Sequence, residues 1–210
     1  SSDVDQECNS LRECQALAHN HRTGRKGLAQ DSVRALALFE RACSFTRGSE
    51  DLGCRHQAFM LREGEGVPKN EAKALEIYKR LCARGAGMQC VSAGRLLAEP
   101  TQLAREEASA QAFMQQGFEL LGKACDAGNG DACNSLGWMH FTREAPGATV
   151  KQAAEALQKS CALKSLGGCD SYAFLLLNGA GVTKDEPEAF RLYSYACKRD
   201  VGYACIARGF

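Results

Sequence analysis

The sequence lacks an excess of charge of either sign. Its 26 Lys and Arg residues are balanced by 25 Asp and Glu residues, so the formal net charge at pH 7 is +1. Proteins that bind nucleic acid or anionic membranes usually carry a basic surface patch, so we expect no nucleic-acid partner. No apolar run approaches the roughly 20 residues of a transmembrane helix, so we also expect no transmembrane span. The first residues, SSDVDQE, do not resemble a signal peptide.

The short motifs of common enzyme classes are also missing. The chain contains none of S-x-x-K, S-D-N and K-T-G, which mark penicillin-binding enzymes and class A β-lactamases. It contains no G-x-S-x-G, H-E-x-x-H or phosphate-loop motif either. We therefore predict that the protein is not an enzyme. An enzyme acting on a bacterial cell-wall or β-lactam substrate is the alternative.

The chain contains 12 cysteines, but no C-x-x-C pair occurs among them. This absence argues against structural zinc sites, thioredoxin-like chemistry and c-type haem attachment. An even and large number of cysteines is typical of proteins from oxidising compartments. Because 210 residues can build a core without cross-links, the cysteines need a further explanation.

The spacing of the cysteines supplies that explanation. They fall into six pairs, four of them with the spacing C-x₇-C. The pairs are Cys8 with Cys14, Cys43 with Cys54, Cys82 with Cys90, Cys125 with Cys133, Cys161 with Cys169, and Cys197 with Cys205. From the second pair onward, the second cysteines recur at steps of 36, 43, 36 and 36 residues, a period typical of helical repeats. We expect the first cysteine of a pair to end one helix and the second to start the next, so we predict a disulfide within each pair.

Each repeat contains two predicted amphipathic helices separated by a Gly-rich segment such as 64–69. Apolar residues recur at i, i+3, i+4 and i+7, as they do from Ala74 to Leu81. No segment alternates like a half-buried strand. The sequence therefore predicts an all-α solenoid of roughly eleven helices, in which stacked helix-turn-helix hairpins share one core. The aromatic residues on the helical stripes are expected in that core: Phe39, Tyr78, Trp138, Phe190 and Tyr193.

We expect residues 1–210 to form a single repeat array with partial repeats at both ends. The complete hairpins are expected at 14–43, 54–82, 90–125, 133–161 and 169–197.

The recurring pattern C-x₂-(L/A)-(A/G)…G-x-G-V-x-K-(D/N)…A-(L/F)-x-x-(Y/F)-x-x-(A/L)-C resembles the Sel-like (SLR) repeat family, a relative of tetratricopeptide repeats. The resemblance extends from Cys8 to Cys205. It implies a right-handed superhelix with a concave face and, usually, an adaptor role. The chain is most similar to the cysteine-rich branch of the family. That branch includes secreted or periplasmic bacterial proteins, some described as penicillin-binding, and a mitochondrial intermembrane-space assembly factor for cytochrome c oxidase.

Two irregularities are more similar to the mitochondrial member of that branch. They are the segment 24–31, GRKGLAQD, and the widened pair of Cys43 and Cys54. The resemblance therefore implies a non-catalytic interaction scaffold in the mitochondrial intermembrane space, with subunits of a respiratory complex as partners. A secreted or periplasmic bacterial protein is the alternative.

Seven extra residues lengthen the repeat that follows Cys90. Seven residues are two helical turns, so they predict a helix from about Gln102 that projects beyond its neighbours. We expect Leu103, Phe113 and Met114 to be apolar anchors for a partner. A flexible loop without a function is the alternative.

His19 and His21 stand where later repeats have large apolar residues. Capping of the terminal repeat accounts for them, because terminal repeats carry polar residues where inner ones are apolar. A contact of His19 and His21 with a partner or with a ligand such as haem is the alternative. The two side chains point to different sides of a helix, so they make a poor metal pair. We expect no metal and no cofactor, with a haem or copper carrier as the alternative.

Overall fold

The computed structural model describes residues 8–45, 52–99 and 106–197. Within these ranges the chain forms ten α-helices and no strand, which confirms the predicted all-α fold. The helices are α1 (Leu11–Thr23), α2 (Ser32–Ser44), α3 (Leu52–Glu63), α4 (Glu71–Ala83), α5 (Gly87–Ala98), α6 (Glu107–Asp126), α7 (Gly130–Phe141), α8 (Val150–Ala162), α9 (Leu166–Asn178) and α10 (Glu186–Cys197). None of these described helices combines the length and the apolarity that crossing a membrane requires.

Polar side chains fix the starts of many of these helices. The residue before the first turn accepts a hydrogen bond from a backbone N–H three positions later, which satisfies one of the free donors of the first turn. The N-caps of this kind are Ser10, Asp31, Asn70, Asn129, Thr149 and Ser165. At the other end, α1 and α9 stop at Gly24 and Gly179, which both have φ of 65°. This left-handed conformation favours glycine.

Consecutive helices pack against each other, among them the pairs α1 with α2, α3 with α4, α7 with α8, and α9 with α10. We call α1, α3, α5, α7 and α9 helices A, and α2, α4, α6, α8 and α10 helices B. The small residue four positions after the second cysteine lies where the two helices meet. In α7, a Cβ atom on Gly137 would come within 2.6 Å of Leu157 Cγ on α8. Only a residue without a side chain permits that approach.

The chain divides into two compact units, unit 1 (Ser1–Phe113) and unit 2 (Met114–Phe210). In unit 1, one cluster of buried residues surrounds Phe39 and another surrounds Leu81. In unit 2, the buried clusters surround Leu157 and Tyr193. The single array over residues 1–210 stays a prediction.

Five disulfides link cysteines whose Cα atoms lie 4.3–5.2 Å apart. Four of them connect the end of a helix B to the start of the following helix A, and the first connects the segment before α1 to α1 itself. They join Cys8 to Cys14, Cys43 to Cys54, Cys82 to Cys90, Cys125 to Cys133, and Cys161 to Cys169. Cys197 is disulfide-bonded as well, and Cys205, its expected partner, lies outside the described residues. Each C-x₇-C loop contributes about 2–3 kcal/mol in the chain-entropy model.

The second cysteine of each described pair lies inside helix A and not at its first residue, where the sequence analysis placed it. Each helix A begins two or three residues earlier, at Leu11, Leu52, Gly87, Gly130 and Leu166. In a helix the Cα–Cβ bond tilts toward the N-terminus, so a cysteine in the first turn directs its sulfur back to the preceding segment. The cysteines in this place are all buried: Cys14, Cys54, Cys90, Cys133 and Cys169. The disulfides therefore belong to the core and are not surface cross-links.

Candidate functional site

Every helix A carries a large or polar residue five positions after the second cysteine, which we call position five. These residues are His19, Phe59, Arg95, Trp138 and Phe174. The preceding residue is small and buried in each helix, whereas position five is exposed or half-exposed. A half-exposed aromatic side chain leaves apolar surface in water, and grouped surfaces of that kind mark sites of interaction.

In unit 1, position five belongs to a basic–aromatic cluster, defined as Arg22, His56, Phe59, Arg62 and Glu65. The Arg22 guanidinium forms an ion pair with Glu65 at 2.9 Å and lies 3.4 Å from His56 Nδ1. The Arg22 and Arg62 guanidinium carbons lie 5.5 and 5.7 Å from the centre of the Phe59 ring. Both are within the distance of a cation–π interaction.

Within this cluster, His56 also contacts the core: the centre of its ring lies 4.8 Å from the centre of the Phe39 ring. Burial lowers the pKa of His56, and the positive charges of Arg22 and Arg55 lower it further. Both effects favour the neutral form of the His56 imidazole. Since Arg22 has Glu65 as its partner and Arg62 has Glu63, the cations of this cluster are already neutralised within unit 1.

Unit 2 presents a different arrangement, which we call the aromatic pocket. It has a volume of about 280 Å³ and is lined by Trp138 on α7 and by Asp170, Ser171 and Phe174 on α9. The Trp138 indole N–H donates a 2.8 Å hydrogen bond to the Ser171 hydroxyl. Ring centres lie 6.1 Å apart for Trp138 and Phe174, and Phe141 adds a third ring at 5.3 Å from Trp138. The pocket thus lies between α7 and α9, the helices A of two consecutive repeats.

In this pocket the Oδ1 atom of Asp170 is buried and has no hydrogen-bond partner among the described residues. Burial raises the pKa of the Asp170 carboxyl, and no charged group adds to that effect. Asn134 occupies the equivalent place on α7, one residue after the second cysteine. Its Oδ1 atom is also buried and has no hydrogen-bond partner among the described residues. A buried polar oxygen without a donor is costly, so Asp170 can accept a donor from a ligand.

The described residues that the sequence proposed as partner contacts are not among the lining of this pocket. Leu103 lies outside the described residues. Helix α6 begins at Glu107 and not near Gln102, and Phe113 packs against the core of unit 1 with Lys79 Nζ 5.7 Å from its ring centre. Met114 is half-buried in unit 2.

The two histidines of α1 differ from each other. His19 is exposed and lies close enough to His56 to lower its pKa. His21 is half-buried, and its Nδ1 has no hydrogen-bond partner among the described residues. Across residues 8–45, 52–99 and 106–197, no group of three or more His, Cys, Asp or Glu could hold a metal ion.

The sequence reasoning missed the aromatic pocket because it assigned the stripe aromatics to the core. Phe39, Tyr78 and Tyr193 are indeed buried, but Trp138 is half-exposed and Phe190 is 40% exposed. Helical periodicity alone does not distinguish a residue packed within its hairpin from one facing the next repeat. The coincidence of Trp138 and Phe174 at position five was the available signal.

The family model for the Sel1 repeat matches residues 14–44, 51–85, 114–129 and 168–201, which is more than half of the chain. This chain belongs to the Sel1 repeat family. Sel1 repeats mediate protein–protein interaction. Three residues of the aromatic pocket, Asp170, Ser171 and Phe174, lie in the matched range 168–201. No curated protein sequence matches the chain.

Solved structures of three bacterial proteins share the fold. A protective antigen of uropathogenic Escherichia coli that displays an SLR fold is 22% identical, with a TM-score of 0.55 over 95% of this chain and 40% of its own. The chain thus spans less than half the length of that antigen. A Sel1 repeat protein from Oxalobacter formigenes is 16% identical, with a TM-score of 0.57 over 93% of this chain and 76% of its own. An immunity protein from Pseudomonas aeruginosa is 17% identical, with a TM-score of 0.55 over 91% and 69%.

Proposed function

We propose that this Sel1 repeat protein is a non-catalytic scaffold that binds a partner polypeptide on its helices A, with the aromatic pocket of unit 2 as a contact site. The observation that carries the proposal is the grouping of three aromatic rings at the surface of two consecutive helices A. Aromatic side chains that are held rigidly and left half-exposed are the usual anchors of protein interfaces.

The chemistry of the pocket supports binding rather than catalysis. Among the described lining residues Asp170 is the one titratable side chain, and the Ser171 hydroxyl accepts the Trp138 N–H. General acid–base or nucleophilic catalysis needs a second group that exchanges a proton with the first. The described lining residues supply no such pair.

We infer from the disulfides that the protein works in an oxidising compartment. Two compartments meet the requirement: the bacterial periplasm or exterior, and the mitochondrial intermembrane space. The bacterial source of the three structural relatives named above is in line with the first. The association with a respiratory complex is therefore the weaker form of the proposal, and it rests on the segment 24–31 and on the widened pair of Cys43 and Cys54.

Site-specific photo-crosslinking in the source cells tests the proposal. One variant carries p-benzoylphenylalanine in place of Phe174, and a matched control carries it in place of Phe190, a 40% exposed phenylalanine on helix B of the same unit. We expect a discrete crosslinked protein from position 174 and none from position 190. Equal crosslinking from both positions, or none from either, would count against partner binding on helix A.

A further inference from the structure

The aromatic pocket of unit 2 combines apolar ring faces with the carboxylate of Asp170. Asp170 Oδ1 is buried and lacks a hydrogen-bond partner among the described residues. Trp138 and Phe174 flank the same cavity. An unpaired carboxylate at low dielectric is stabilised most by a positive charge that also donates hydrogen bonds.

Unit 1 contains a direct comparison for the aromatic part of this site. Phe59 stands at position five of α3, the position that Trp138 and Phe174 occupy in α7 and α9. Its ring has two guanidinium groups of the chain itself, those of Arg22 and Arg62, at cation–π distance. In the part of unit 2 that the structure describes, no cation lies over Trp138 or Phe174, and an acid stands beside them instead. Among the described residues, the chain therefore supplies the cation at Phe59 in unit 1 and supplies none at Trp138 and Phe174 in unit 2.

We propose that the aromatic pocket binds a single lysine or arginine side chain of the partner polypeptide, with its charge paired to Asp170 and its alkyl stem against Trp138 and Phe174. This inference rests on the proposed function, because it names the chemistry of the partner at that site. A basic side chain matches both halves of the pocket, since its stem is apolar and its head is a cation that aromatic faces attract.

The volume of the pocket and the fixed position of its indole ring fit one bound side chain. Its volume of about 280 Å³ lies just below the roughly 300–1,000 Å³ of sites that enclose a whole small-molecule ligand. The hydrogen bond from Trp138 to Ser171 holds the indole in place before any ligand arrives. A ring that is already fixed loses little conformational freedom on binding, which favours affinity.

The only tryptophan of the chain provides a local probe for this proposal. In the oxidised full-length protein, the indole N–H resonance of Trp138 is followed by NMR during titration with N-acetyl-arginine methylamide or N-acetyl-lysine methylamide. N-acetyl-norleucine methylamide serves as the neutral analogue, and choline as a small cation without a peptide. We expect saturable shifts with the two basic amides and weaker binding of norleucine and choline.

Two variants distinguish the effect of the Asp170 charge on binding from the effect of removing any carboxylate of unit 2. Asp170→Asn keeps the shape and introduces the residue that the equivalent position 134 already has, so folding is preserved. It should weaken binding of the basic amides on the order of tenfold or more. Asp126→Asn removes an exposed carboxylate elsewhere in unit 2, where it pairs with Lys159 at 2.8 Å. It should leave binding unchanged.

Four results would overturn the inference: norleucine binding as tightly as lysine, choline binding more tightly than either basic amide, no shift with any probe, or unchanged binding in Asp170→Asn. If any of these occurs while position 174 still crosslinks to a protein, the partner-binding function stands and only the basic side chain is wrong. If crosslinking also fails, the proposed function fails with it.

Discussion

The indole N–H of Trp138 on α7 donates a 2.8 Å hydrogen bond to the buried hydroxyl of Ser171 on α9. This bond joins helices A of two consecutive repeats at the edge of the aromatic pocket. The bond also accounts for the buried serine: the Ser171 hydroxyl accepts the indole N–H and is not needed by the backbone of its own helix. The pocket is therefore built by the repeat stacking itself.

Removing that hydroxyl should loosen the pocket. In Ser171→Ala the indole N–H loses its acceptor, so we expect a loss of about 1 kcal/mol in the free energy of unfolding and a shifted, broadened indole resonance of Trp138. Ser135→Ala is the matched control, since Ser135 occupies the equivalent place on α7 and its hydroxyl donates only to the backbone carbonyl of Asp131. A loss of the same size in both variants would contradict a special role for Ser171.

The tight contact between α7 and α8 gives a second prediction. Gly137→Ala places a Cβ atom 2.6 Å from Leu157 Cγ and 2.7 Å from Leu157 Cδ2. Overpacking of this kind costs about 1–3 kcal/mol, so the midpoint of urea unfolding should fall. Gly122→Ala, in α6, meets nothing within 4 Å of the new Cβ and should raise stability by about 0.5–1 kcal/mol. The two alanine substitutions should thus act in opposite directions, and a shared sign would show that the hairpin packs differently.

His56 predicts a dependence of stability on pH. Burial, followed by the charges of Arg22, Arg55 and His19, lowers its pKa below the ordinary value of 6.5, while Glu65 opposes the shift. Between the lowered pKa and 6.5 the unfolded chain binds more protons than the folded chain, so stability should fall as the pH drops below 6.5. Thermal unfolding of wild type and His56→Gln between pH 7.5 and pH 5 measures this contribution. The slope should be shallower in the variant, and an unchanged slope would rule out His56 as its source.

The disulfides give a fourth prediction. The double variant that combines Cys125→Ala with Cys133→Ala opens the loop between α6 and α7, which should cost about 2–3 kcal/mol in the free energy of unfolding. Urea unfolding of the oxidised proteins measures it. Under full reduction of both proteins the difference should shrink, because the wild type then loses the same cross-link. A difference that persists after reduction would mean that the cysteine side chains stabilise the joint by packing alone.

Much of the fold could be predicted from the sequence because covalent and periodic features leave a visible pattern. The spacing of Cys82 from Cys90, repeated along the chain, located the joints between helices, and the five described disulfides join the cysteines paired in that way. The small residue at Gly137 marked the contact within its hairpin. Both signals depend on neighbours within a single repeat. The exact start of each helix A was less visible, since the cysteine marks its first turn and not its first residue.

The site depends instead on contacts between repeats, which hydrophobic periodicity does not reveal. Trp138 and Phe190 both lie on apolar stripes, but Trp138 reaches the pocket beside Ser171 while Phe190 is 40% exposed on helix B. Periodicity gives the face of a helix and not the identity of the helix that packs there. The partner anchors expected near Leu103 and Phe113 rested on the length of an insertion, whereas Phe113 packs against the core of unit 1.

The central claim is that this Sel1 repeat protein binds a partner polypeptide through the aromatic pocket. The most direct measurement is calorimetric titration of the partner identified by crosslinking against wild type, Phe174→Ala and Phe190→Ala. We predict that Phe174→Ala raises the Kd about tenfold or more, as expected for an aromatic anchor that the interface buries. Phe190→Ala should leave the Kd unchanged. Equal Kd values for wild type and Phe174→Ala would contradict the account.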